Sequence, residues 1–188
     1  MTLVLEELDP TTREYMLREF ESEIASSTPY VPATLSETGI AAWPELARSA
    51  IREGDDATLL ASLLADPTLF RSHEANLRKG ATRPAVINHR QASDRLATSE
   101  FNTWYVRGLS ARLLAEGVTE VEVYRAAPPK WKIASCAAHE GRIVQVQVVY
   151  DGHRSAYWPE SNPTAFAIPF QAGCHHSIRR VREGADSR

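Results

Sequence analysis

The sequence predicts an α+β fold: a helical N-terminal unit, one long spine helix, and a small antiparallel sheet held by a zinc-knuckle-like clip. Three observations predict it. Apolar residues recur every three or four positions up to Glu116, the period of a half-buried helix. After Gly117 the period drops to two, with Val121 and Val123 alternating against Glu120 and Glu122. Two short pairs then bracket the second half of the chain, Cys136-x-x-His139 and Cys174-x-His176, and they hold its only two cysteines.

Asp9-Pro10 reads as an N-cap followed by proline at the first helical position, and Met16, Phe20 and Ile24 give that helix one buried stripe. The run from Ser26 to Pro32, with two prolines, ends it. Ser36 caps a short turn toward Trp43, and Pro44 is expected to restart a helix in which Leu46, Ala50 and Ile51 face inward. Asp56 is the expected cap of the next helix, where Leu59, Leu60, Leu63 and Leu64 form a wide apolar face until Asp66-Pro67. Residues 1–70 thus read as a helical unit without visible chemistry.

Residues 71–182 read as an α+β module. Lys79-Gly80 marks a turn, and Thr82 to Ile87 suit an edge strand because Pro84 withholds a donor. Asn88 with Gln91 three residues on fits a capping box opening the longest helix, from about His89 to Glu116. Phe101, Tyr105, Leu109 and Leu113 fall on one face, and Trp104, Gly108 and Ala111 on a second, so this helix reads as the central spine. Gly108 costs about 1 kcal/mol against alanine inside a helix, which close packing against a neighbour would excuse. Strands follow at Val121–Val123, at Trp131–Ile133 and from Ile143 to Val149. A proline-rich loop from Asp151 to Pro169 then leads back to Cys174, and residues 183–188 read as a disordered tail.

Composition bounds the function. The chain has 188 residues and a net charge of -3, which argues against a general polyanion binder. No apolar run is long enough to cross a bilayer, so no membrane role is expected. The acidic start, Leu5-Glu6-Glu7, is unlike a signal peptide. A reducing cytosol would keep both cysteines as thiols, placing a metal ahead of a disulfide.

Cys136, His139, Cys174 and His176 are the set that tetrahedral zinc prefers. The bland alternative is two buried thiols beside incidental histidines. Glu140 beside His139 invites a second reading, a zinc-dependent hydrolase or nuclease with a carboxylate base. That reading lacks a His-Glu-x-x-His helix and the deaminase pattern. Arg154, Tyr157 and Trp158 in the long loop suit contact with a protein partner or base stacking, as an arginine beside exposed aromatics does; the bland alternative folds the aromatics back over the small sheet. Arg179, Arg180 and Arg182 offer a weaker nucleic-acid reading. Glu100 and Arg107, on one side of the spine helix, read as a salt bridge or as a cap for a neighbouring loop.

Residues 88–182 resemble the C-terminal module of phage head-morphogenesis proteins, the minor capsid family named after the F protein of phage Mu. Arg95-Leu96-Ala97-Thr98-Ser99-Glu100 stands where that family carries an Arg-x-x-Ala-x-Thr-Glu helix, and Gly117-Val118 leads into the strands. Cys136-Ala137-Ala138-His139-Glu140-Gly141 stands at the family's first cysteine pair, and Cys174-His175-His176 at its last. His139 and His176 replace cysteines, Gln171-Ala172 replaces a His-Pro, and the long loop is untypical. The resemblance implies a non-enzymatic assembly protein with a structural zinc. It also implies protein partners such as portal or capsid, and residence in the bacterial cytoplasm or a phage virion.

Overall fold

The computed structural model describes residues 2–27, 29–75, 83–128, 137–154, 166–170 and 174–182. The strand expected at Trp131–Ile133, the Lys79-Gly80 turn, Cys136, Tyr157, Trp158 and the tail 183–188 lie outside them. The architecture is α+β.

Helix α1 (Pro10–Ile24) begins as the sequence requires: the Asp9 side chain accepts from the Thr12 amide at 2.8 Å, with Pro10 in the first turn. Met16 and Phe20 are fully buried. Helix α2 (Glu37–Glu53) departs from expectation, because Pro44 does not divide it. A proline inside a helix removes one hydrogen bond at a cost of about 3 kcal/mol. Burial of Trp43 and Ala47 on either side, continued by Ala50 and Ile51, offsets that cost. Helix α3 (Asp56–Ala65) is capped by Asp55, whose carboxylate accepts from the Thr58 amide at 2.8 Å. Asp56, the expected cap, turns inward and accepts from the Leu3 amide at 3.1 Å.

A two-residue ladder joins β1 (His73–Glu74) to β2 (Ala85–Val86), the expected edge strand after Pro84. Helix α4 (His89–Ala115) is the spine. Asn88 accepts from the Gln91 amide at 3.0 Å, and Gly117 at φ +76° ends the helix in the left-handed region that favours glycine. Gly108 faces α1 so closely that a Cβ would lie 2.7 Å from the Met16 Cα, so the absent side chain lets two helix backbones meet. Phe20 meets Trp104 edge-on, with ring centroids 5.1 Å apart.

The sheet has β3 (Glu120–Arg125) at its centre, paired antiparallel with β4 (Ile143–Gln145) and β5 (His176–Arg180). The strand expected to reach Val149 stops at Gln145, and the chain coils into α5 (Val146–Asp151). Val146 and Val149 are buried while Val148 is exposed, so burial follows a step of three. The outer edge of β5 is closed by side chains: Asn102 donates to the His176 carbonyl at 2.7 Å and Glu7 accepts from the Arg180 amide at 2.6 Å. Such blunting removes a template for strand addition.

One apolar cluster runs from Met16 and Leu59 through Trp104 to Val121 and Ile178. The helical unit and the module therefore share a core across residue 70. No helix among the described residues is long and apolar enough to cross a membrane.

Candidate functional site

The C-terminal end of β3 gathers the histidine turns. On one side, Glu122 pairs with Ile143 and the Val123 carbonyl accepts from the Gly141 amide at 2.8 Å, which ties the turn at residues 138–141 to the strand. On the other side, Arg125 pairs with His176, the first residue of β5. The Glu140 and His176 side chains, 36 positions apart, come within 3.3 Å through Oε1 and Nε2. Phe170 lies between the two histidines, stacked on His139 at 4.1 Å and edge-on to His176 at 5.5 Å.

Cys174 Sγ lies 3.3 Å from His176 Nδ1, and both residues are buried. A thiolate at ~2.3 Å and an imidazole nitrogen at ~2.0 Å from a tetrahedral ion sit about 3.5 Å from each other. The spacing of this pair fits that edge. Glu140 accepts only, so its partner nitrogen Nε2 carries the proton of the neutral ring, and the Nδ1 lone pair faces the thiol. Burial and the nearby Arg125 charge lower the pKa of His176, which keeps the ring neutral. Hydrogen bonds from Arg125 hold Glu140 below the usual carboxylate range, with Nε–Oε1 at 2.6 Å.

His139 is presented differently. Its Nδ1 lies 3.0 Å from the Arg142 guanidinium, a donor, so that nitrogen accepts. Among the described residues, no group of three or more His, Cys, Asp or Glu side chains is arranged around a common point for a metal. Cys136, the fourth expected ligand, is outside them. The donors that fit zinc directly are Cys174 and His176.

The other sequence candidates divide. His175 turns inward, its Nδ1 3.1 Å from the Pro128 carbonyl. Arg179 pairs with Glu122 at 2.8 Å and Glu6 at 2.5 Å, Arg180 with Glu7 at 3.0 Å and with Glu116, and Arg182 with Glu6 at 3.0 Å. Arg154, expected to face a partner from the loop, is instead only 4% exposed. It sits between the Glu23 and Glu100 carboxylates, each at 3.0 Å, because an arginine inside a core needs opposite charge.

Arg154 is the centre of a hub that sequence reasoning missed. It lies over the Tyr30 ring at 4.1 Å, and His153 Nε2 lies 3.2 Å from Glu23 with its ring against Trp104. Burial pushes the His153 pKa down to about 4, so the ring stays neutral. Arg107 pairs with Glu19 at 2.7 Å and donates to the Tyr150 carbonyl at the end of α5. Glu100 and Arg107 thus make a salt bridge and a loop cap with other partners, not with each other. The only sequence signal was their position on one side of α4. A cavity of about 280 Å³ adjoins the hub, lined by Tyr30, Pro32, Leu96, Ser99, Glu100 and Thr103 among others.

No family model, curated protein or solved structure matches this chain.

Proposed function

We propose that this chain is a structural assembly protein of the phage minor-head kind, clipped by one zinc ion and working through protein partners rather than by catalysis. One observation carries the metal part of the reading: the Cys174–His176 pair, at ligand-edge spacing, lies beside the turn that carries His139. Cys174 and His176 would hold the ion, with Cys136 and, once its Nδ1 is released from Arg142, His139 completing the set read from the sequence. A structural zinc contributes on the order of 10 kcal/mol in small modules, enough to close a long proline-rich loop. The assembly part rests on the resemblance of residues 88–182. Portal or capsid proteins are the proposed partners, and Tyr157 and Trp158 the proposed contacts. The setting is a bacterial cytoplasm or a virion.

The hydrolase alternative draws less support. Glu140, its proposed base, is already engaged by Arg125 and His176. The nucleic-acid alternative is weakened likewise, since carboxylates of the same chain neutralise Arg179, Arg180 and Arg182.

Elemental analysis of protein purified without added chelator tests the metal. One zinc per chain is expected, lost on Cys174→Ser, with thermal unfolding lowered by chelation. Protein lacking metal, whose melting is insensitive to zinc and chelator, overturns the metal reading. Gene neighbourhood and co-sedimentation test the assembly role: portal and capsid genes beside this one, with the chain present in heads assembled from their products, are expected, and the absence of both overturns it.

A further inference from the structure

We infer that Glu140, braced by Arg125, is the residue that sets His176 up as a metal ligand. The inference rests on the zinc reading above and assigns Glu140 a positioning role, not a catalytic one. An imidazole that binds through one nitrogen almost always gives its other N–H to a carboxylate, carbonyl or water, which fixes the tautomer and makes the ligating nitrogen more basic. His176 meets that description on both sides. Its Nδ1 faces Cys174 Sγ at 3.3 Å, and its Nε2 faces Glu140 Oε1 at 3.3 Å.

The carboxylate is itself held. Arg125 contributes Nε at 2.6 Å and a second contact through Nη2, both to the same Oε1. Arg125 and His176 are register partners across β3 and β5, so the backbone sets their separation. The turn holding Glu140 is fixed to β3 by the Gly141 amide, and Gly141 itself sits at φ +75°, which favours glycine. Glutamate, arginine and histidine are therefore delivered by three backbone segments already bonded to one another.

His139 supplies an internal contrast. The Nδ1 of His139 faces the Arg142 guanidinium at 3.0 Å, which does not raise ligand basicity as a carboxylate does. The two histidines are expected to contribute unequally, with His176 the stronger ligand.

The test measures Co²⁺ binding by its thiolate charge-transfer absorption, and Zn²⁺ binding by competition with a chromophoric chelator, on the full chain. Glu140→Ala is expected to weaken zinc by ~10–100-fold, the range for loss of such a partner. Glu140→Gln, which keeps an accepting oxygen, should recover part of that loss. Arg125→Met should weaken binding less than Glu140→Ala. Glu120→Ala, which removes another carboxylate on the same sheet, should leave affinity unchanged. Circular dichroism of the metal-free variants reports folding separately. Wild-type affinity in both Glu140→Ala and Arg125→Met overturns the inference and leaves the zinc reading standing. Absence of Co²⁺ and Zn²⁺ binding by the wild type overturns both.

Discussion

Two places in this molecule put a histidine, a glutamate and an arginine in line, and they end in opposite chemistry. In the hub, His153 meets Glu23, which Arg154 also holds. At the end of β3, His176 meets Glu140, which Arg125 also holds. Burial depresses both imidazoles. The difference is what else each group touches. His153 packs its ring on Trp104, and Arg154 turns both terminal nitrogens to Glu100, so the hub's charges answer one another. His176 turns its other nitrogen to a thiol, leaving two soft donors at ligand spacing. A triad of side chains does not define a site; the next contact outward does.

The largest effect should come from breaking the hub. Arg154→Met leaves the buried Glu100 and the partly buried Glu23 without their guanidinium, and removal of one partner from such an arrangement costs ~3–5 kcal/mol. Urea unfolding measures it, and a loss below about 1 kcal/mol would mean the hub is not dry in solution. The change should leave the proposed zinc binding alone, which separates the two triads.

Acid should act next, and through the hub. The His153 pKa near 4 lies below its ordinary 6.5, so between those values the unfolded chain binds a proton that the native state refuses. Stability therefore falls as pH drops from 6.5 toward 4, by roughly 2–3 kcal/mol if the shift is fully expressed. Burial alone would raise the pKa of Glu23, but the hydrogen bond from His153 and the Arg154 charge hold it low, which extends the loss to lower pH. Unfolding curves at pH 7 and pH 4.5, compared with those of His153→Gln, check the sign. A variant as acid-sensitive as the wild type would remove His153 from the account.

The smallest effect belongs to the surface pairs. Arg182 has a side chain 63% exposed, and Arg182→Ala should change stability by less than about 0.5 kcal/mol. Chemical denaturation in low and high salt checks this. A larger loss would make the C-terminal arginines part of the frame rather than its neutralised rim.

The caps and periods of the helices were legible because they are local. Asp9, Asn88 and Gly117 act within a few residues, and the Gly108 contact with Met16 was readable as a need for closeness though not as a partner. Where two local signals competed, the core decided. Pro44 sits inside α2 because Trp43 and Ala47 are buried around it. The valines after Gln145 coil because a step of three buries Val146 and Val149. The Asp55–Asp56 choice turned on the Leu3 amide, 53 positions away in the chain.

Of the candidate site, the sequence alone determined the residue types and the two short spacings, from which the proposal of a tetrahedral zinc is drawn. It determined the α+β order as well, since period and punctuation travel with the local chain. Only the tertiary structure decided that the Glu140 turn and the start of β5 flank the same end of β3. It likewise sent Arg154 inward to Glu23 and Glu100, and gave His176 a carboxylate where His139 met a guanidinium. The physical reason is range: a cap or a turn is settled by neighbours within four residues, whereas a charge is settled by whichever opposite charge folding brings within about 4 Å, and that separation carries no trace in the order of the residues.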